Sequence, residues 1–420
     1  MNLSAPTDPV KKIREESHDV AVDTDLSAVL LTFAQLPPST ETPYATVTLD
    51  WAPDAGKRTS PIEAWDEIRE EVWQFHFRSA EGISAENDRL RIGAYIADEL
   101  DKTARGAMIV SNSGMGEFAA SSFGLSIPTT ANLGPIPYLK EFTRLGEDNP
   151  TYAILILDQD QADLSVVSAD VLTESLSVTG SKYPRHQSSG ALNQNRYQNR
   201  ANERIEAFIK TVAGEVRKTL DQTGIRRLVI GADDVNAALF QEASHDTVKE
   251  KIIGVFRIDI NAANFDQILE LASPIAVDYE RKRESEAVDA LADAIGSGNR
   301  GAAGAIDVLK ALEQGQVFRL IMSGNYAEMG WADYTMPIYG IGDVPAEHPA
   351  GGDLHNLVPV PLEQEMIRQA LLTGAQIEIV DPSVPVSTEG EVPRADAPIP
   401  NAPADTKLDE LGGVGALLRW

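Results

Sequence analysis

The stretch RYQNRANERIEAFIKTVAGEVRKTLDQTGIRRLVIGA, Arg196 to Ala232, decides the fold. Ile205, Phe208, Ile209, Val212, Val216 and Leu220 recur at three- and four-residue intervals. That spacing predicts one long amphipathic helix over about 196–222. The apolar run in RRLVIGA then reads as a buried strand. DDVNAALFQEA opens a second helix with Asp233 or Asp234 as N-cap. KIIGVFRIDI follows as another strand, and residues 262–296 are mostly helical. Helices alternating with buried strands build an α/β layer.

Upstream, TYAILILDQD, ADLSVVSAD and LTESLSV read as an antiparallel meander. Downstream, DVLKALEQGQVFRLIM and PLEQEMIRQALLTGAQIEIVD each run helix, glycine, strand, with Gly315 and Gly374 as the stops. Two such units predict an α/β sandwich. LGGVGALLRW closes the chain as a further buried strand. Residues 381–410 hold six prolines, seven acids and two bases, and are expected to be a disordered acidic insert.

Nearer the start, AVLLTFAQL and YATVTLDW both read as strands. PIEAWDEIREEVWQFHFRS reads as a helix with Pro61 in its first turn. A second helix over about 84–103 carries Leu90, Ala94, Ile96 and Leu100 as its apolar residues. GAMIVSNS and GEFAASSF form a hairpin, and GPIPYLKEFTRL is a turn leading into a short helix. The expected organisation is a polar tail at 1–25, an α/β domain at 26–148, a mixed-sheet central domain at 149–297 and an α/β sandwich at 298–420. The central domain carries a projecting loop at 180–195.

The 420-residue chain has no cysteine, which excludes disulfides, thiolate metal sites and cysteine nucleophiles. The first twenty residues contain no apolar run that resembles a signal peptide, and no window approaches the length of a membrane span. A cytoplasmic monomer with no membrane contact is expected.

Net charge is −28, which works against non-specific attraction to nucleic acid. One window departs from this average. Residues 181–227 hold ten bases and four acids, a net of +6, while the rest of the chain carries −34. Within it, Lys182 and Arg185 precede a small polar loop, SSGALNQN, which runs into Arg196, Arg200 and Arg204 at four-residue spacing. Cations at a helix start oppose the macrodipole, and an anionic partner such as phosphate relieves that cost. Gln194 and the loop asparagines carry amides that can orient water or read nucleotide edges but cannot act as general bases.

Other signatures are weak. GMGEF, Gly114 to Phe118, is half of a dinucleotide fingerprint and lies between hairpin strands. His348 and His355 stand seven apart in HPAGGDLH with no third metal ligand in view. No metal or other cofactor is expected.

The order of a strand meander, a small-residue loop, NRYQNR, a long helix, RRLVIGADDVNAALF, DVLKALEQGQV and GGVGALLRW resembles the archaeal and eukaryotic peptide chain release factors and their relative Pelota. It is most similar to the bacterial branch of that superfamily, over roughly residues 150–420. The resemblance implies a three-domain architecture with a Pelota-like last domain. It also implies a ribosome A-site-binding factor in peptide release, rescue or hibernation, with rRNA, peptidyl-tRNA and a translational GTPase as partners. In release factors a Gly-Gly-Gln triplet positions water at the peptidyl-tRNA ester. Here Gly190, Ala191 and Leu192 stand at that place, and Gln194 two positions later is the candidate equivalent, with Gly190 supplying loop flexibility. The decoding signature Asn-Ile-Lys-Ser is absent. The RNA-binding candidates are Lys182, Arg185, Arg196, Arg200 and Arg204. The competing reading is a stress-related interaction protein that keeps the fold away from the ribosome. Salt separates the two, because phosphate contacts weaken steeply as salt rises.

Overall fold

The computed structural model describes residues 26–52, 60–73, 80–148, 151–168, 171–179, 194–258, 264–298, 300–380 and 403–420. The first element is a helix, α1 (Leu26–Ala34), where a strand is expected from AVLLTFAQL. Leu30, Phe33 and Ala34 are buried at helical spacing while Leu31 is exposed. A continuous apolar run hides that spacing, so the eye reads a buried strand.

β1 (Tyr44–Asp50) follows, then α2 (Pro61–Val72) and α3 (Ala80–Asp98). Ser60 and Glu63 close a capping box around Pro61 at the start of α2. In α3 the buried side is Ile92 and Ile96, continued by Leu100, whereas Leu90, expected inside, is 58% exposed. β2 (Gly106–Asn112), β3 (Glu117–Phe123) and β4 (Thr130–Gly134) complete an antiparallel sheet of order β3-β2-β1-β4. GMGEF is indeed the β2–β3 connection and the start of β3. On one face of this sheet Val47, Leu49 and Ile109 meet Trp65, Ile92 and Ile96.

The other face carries Tyr44, Met108, Val110 and Phe123, which pack with Phe33 of α1 and Phe142 of α4 (Lys140–Asp148). This core does not stop there. It continues through Leu309, Leu320 and Met366 of the last third of the chain.

The central sheet has the order β7-β6-β5-β8-β9. β5 (Tyr152–Leu157), β6 (Gln161–Ser168) and β7 (Val171–Thr179) form the expected meander. The long helix α5 (Gln194–Thr223) then leads to β8 (Leu228–Gly231), parallel to β5. α6 (Asp234–Ala243) is capped by Asp233, whose Oδ1 accepts from Asn236 N at 2.7 Å. The short α7 (Asp246–Lys249) precedes β9 (Ile252–Phe256), parallel to β8. Ile209, Val212, Val216 and Leu220 of α5 and Phe240 of α6 cover one face. Ala272 and Ala276 of α8 (Phe265–Gly296) cover the other.

α8 belongs to two cores. Its second half sends Ala287, Val288 and Leu291 onto Ile321 and Val380 of the next sheet. That sheet has the order β10-β16-β11-β15. β10 (Gly301–Ala303) leads into α9 (Ala305–Glu313) and β11 (Val317–Ser323). β12 (Met329–Asp333), β13 (Ile338–Ile341) and β14 (Leu357–Pro361) form a separate antiparallel sheet of order β13-β12-β14, which periodicity does not reveal. α10 (Leu362–Leu372) and β15 (Gln376–Val380) follow, with β15 parallel to β11.

Gly315 and Gly374 both take φ of 65°, the left-handed conformation that ends a helix and favours glycine. Both helix–glycine–strand units therefore form as expected. The acidic insert does not run to 410. Residues 403–410 form α11 (Pro403–Glu410), which buries Leu408 against the face opposite α9 and α10. Residues 381–402 lie outside the described residues. β16 (Val414–Leu418) then enters between β10 and β11, antiparallel to both, so the end of the chain closes the sheet. Among the described residues no helix is long and apolar enough to cross a membrane.

Candidate functional site

α5 positions what is described of the expected site. Among the described side chains its apolar stripe begins at Ile205, eleven residues and about 16 Å of helix beyond Gln194. Lys182, Arg185 and Gly190 lie outside the described residues. Gln194 is the first residue of α5, and Arg196 and Arg200 occupy its first two turns. Arg204 is exposed.

At about 100° per residue, positions 196, 200 and 204 fall on the side of the helix axis away from the Ile205–Leu220 stripe. Position 194 falls in register with that stripe, roughly 200° around from 196. The arginine positions therefore share one side of the helix, and the glutamine position does not. A ligand that uses both must meet the end of the helix rather than one flank.

Three cations in the later part of the basic window form ion pairs within the molecule. Arg217 pairs with Asp221 at 3.7 Å and Lys218 with Glu215 at 3.9 Å. Arg227 pairs with Glu280 of α8 at 2.5 Å, with both side chains largely buried.

The histidines do not form a metal pair. His348 Nδ1 accepts from Ala350 N and Gly352 N, at 3.2 and 2.9 Å. That leaves Nε2–H to donate to Asp333 Oδ2 at 2.9 Å. Asp333 is fully buried and also accepts from the Thr335 amide and hydroxyl. Burial pushes its carboxyl up, but these hydrogen bonds outweigh it and hold the pKa at about 2. His355 is exposed and bonded to Asp353 at 2.9 Å. No group of three metal-ligating side chains occurs among the described residues.

Two polar clusters escaped the sequence reading. Gln364 Oε1 accepts from the amides of Leu139 and Lys140, at 2.7 and 3.0 Å, while Lys140 Nζ donates to Tyr326 O at 2.6 Å. These bonds join the start of α4 to the α10 region across the shared core. In the second cluster, Glu365 accepts from Arg368 at 3.2 Å, Gln369 at 2.8 Å and Tyr334 at 3.2 Å, with no exposed surface of its own. Burial raises the Glu365 carboxyl, and Arg368 works against that rise. The available signal was a glutamate embedded in the apolar stretch PLEQEMIRQALL with an arginine three residues on.

Residues 137–276 match the model described as bacterial archaeo-eukaryotic release factor family 10. No curated protein matches the chain. Among solved structures, an archaeal translation termination factor, aRF1, is 14% identical, with 94% of this chain and 97% of that one covered and a TM-score of 0.24. Archaeoglobus fulgidus Pelota is 16% identical, with 75% and 79% covered and a TM-score of 0.29. S. cerevisiae Dom34, described as a translation termination-like factor involved in RNA quality control pathways and interacting with Hbs1, is 11% identical, with 75% and 80% covered and a TM-score of 0.37.

Proposed function

We propose that the chain is a ribosome-binding translation factor, a reading supported by the match of residues 137–276 to the model described as bacterial archaeo-eukaryotic release factor family 10. The observation that carries this reading is where the matched segment lies. It spans the meander, the connection to α5 and all of α5. The site we propose is the start of α5 with the preceding loop, entering the ribosomal A site toward peptidyl-tRNA. Arg196, Arg200 and Arg204, with Lys182 and Arg185, contact rRNA phosphates, for which guanidinium forks are suited. The acidic remainder stays solvated or meets basic ribosomal proteins.

The work done there is peptide release, rescue of stalled ribosomes or protection of idle ones. Gln194 is the residue we propose to orient water if the ester is cleaved. A translational GTPase is the accompanying partner implied by resemblance to Pelota, and the compartment is the cytoplasm. Pull-down of the tagged chain from growing and from starved cells tests the reading. Ribosomal subunits are expected in the eluate, decreasing steeply as salt rises. An eluate that carries other proteins and no rRNA at any salt supports the non-ribosomal interaction module instead.

A further inference from the structure

Among the described residues β13 is the outer strand of the β13-β12-β14 sheet and pairs on one side only. Gly342 N donates to Met329 O, which fixes 342/329, 340/331 and 338/333 as the hydrogen-bonded pairs. In an antiparallel ladder the intervening residues point their backbone groups the other way. The amides and carbonyls of Tyr339 and Ile341 therefore face away from β12. Between this edge and α9 runs a groove of about 50 Å³, lined by Ile306, Leu309, Tyr339 and Ile341 with Lys310 and Glu313 at its side. Ile306 is 53% and Ile341 38% exposed.

The surroundings are acidic. From Arg319 to Arg368 the chain has no other lysine or arginine; of its seven acids Asp333, Glu363 and Glu365 are buried. Asp343 and Glu347, just beyond β13, are exposed, as are Asp307 and Glu313 on α9. Lys310 is already paired with Asp307 at 3.6 Å.

We propose that the β13 edge and the α9 groove bind an extended, cationic protein segment that adds to the sheet as a strand. Main-chain bonds to Tyr339 and Ile341 give it register, and one aliphatic side chain fills the groove. Lysines or arginines on the segment answer the acidic rim. The small volume suits a side-chain tip, since pockets for small-molecule ligands run to roughly several hundred Å³. An exposed strand edge with an apolar groove is otherwise a liability for self-association.

The test uses the full chain and a fluorescent peptide, Lys-Val-Lys-Ile-Lys-Val-Lys, in an anisotropy titration. Saturable binding that weakens with salt is expected. Two controls separate strand addition from general charge attraction. A peptide N-methylated from its second to sixth residue keeps the charge and side chains but loses the main-chain donors, and is expected not to bind. The double variant Ile306→Gln, Ile341→Gln changes only surface side chains and leaves net charge alone. It is expected to bind about tenfold or more weakly, with unchanged circular dichroism. Equal binding of the methylated peptide, or equal affinity of the double variant, overturns the proposal. So does an absence of saturable binding by the unmodified peptide.

Discussion

Arg283 Nη2 donates to Glu378 Oε2 at 2.9 Å, tying the middle of α8 to β15. The same guanidinium reaches Glu280 at 2.7 Å, and Glu280 also holds Arg227, which stands just before β8. The chain Arg227–Glu280–Arg283–Glu378 thus joins the central sheet to the last one, at the point where α8 passes from one core to the other. Glu378 is 2% exposed, and burial raises its carboxyl while Arg283 and Arg319 oppose the rise. Removing Arg283 leaves a buried acid with less compensation. Breaking a fully buried pair costs about 3–5 kcal/mol; Arg283 is partly exposed, so Arg283→Ala is expected to cost about 1–3 kcal/mol. In a double-mutant cycle with Glu378→Gln, denaturant melts should show a combined loss smaller than the sum. Strict additivity would show that the pair is not coupled.

Gln364 acts as an N-terminal cap for α4 from a distant part of the chain, since its side-chain oxygen accepts from Leu139 N and Lys140 N. Gln364→Ala removes the acceptor while Leu139 N and Lys140 N remain buried. The expected loss is about 1–2 kcal/mol, as for other lost caps. Hydrogen exchange should quicken at the start of α4 more than in the central sheet. Uniform quickening throughout would contradict a local cap.

Asp333 gives a pH prediction. Its carboxyl is held at about 2, below the ordinary carboxylate value, so the charged form is favoured by folding. The contribution is fully present above the unfolded-state pKa of about 4 and is lost as pH falls toward 2. The stability difference between the wild type and Asp333→Asn should be constant near neutrality and shrink between about pH 4 and 2. A difference independent of pH across that window would show that the carboxylate charge is not what Thr335 and His348 stabilise.

The regular layers were legible from local chemistry. The α5 stripe from Ile205 to Leu220, the glycine stops at Gly315 and Gly374, and the Asp233 cap each depend on spacing of a few residues. What escaped depends on distant partners. α1 is helical because Leu30 and Phe33 meet a core shared with Phe142 and with residues near the other end of the chain. α11 forms because Leu408 finds Ile321 and Val380, although its composition matches the proline-rich stretch before it. The β12–β14 sheet is short and interrupted by glycine and proline, so its strands carry little period-two signal. For the candidate site, the arginine spacing was visible, while the opposite register of Gln194 follows only once α5 is known to start there.

Gln194 is testable apart from ribosome binding. In a peptidyl-tRNA hydrolysis assay, Gln194→Ala is expected to lower any wild-type rate by about 10²-fold, as when a single aligned polar group is lost. Ribosome affinity should change little. Equal hydrolysis by both proteins removes Gln194 from a water-positioning role.

Ribosome co-sedimentation of the wild type against an Arg196→Ala, Arg200→Ala, Arg204→Ala variant tests the central claim most directly. These positions lie off the core stripe of α5, and a thermal melt beside the pelleting assay checks that the variant stays folded. The account predicts wild-type pelleting with ribosomes at low salt, a steep loss as salt rises, and a clear reduction with a shallower salt slope in the variant. Equal pelleting of both proteins at every salt concentration would contradict it.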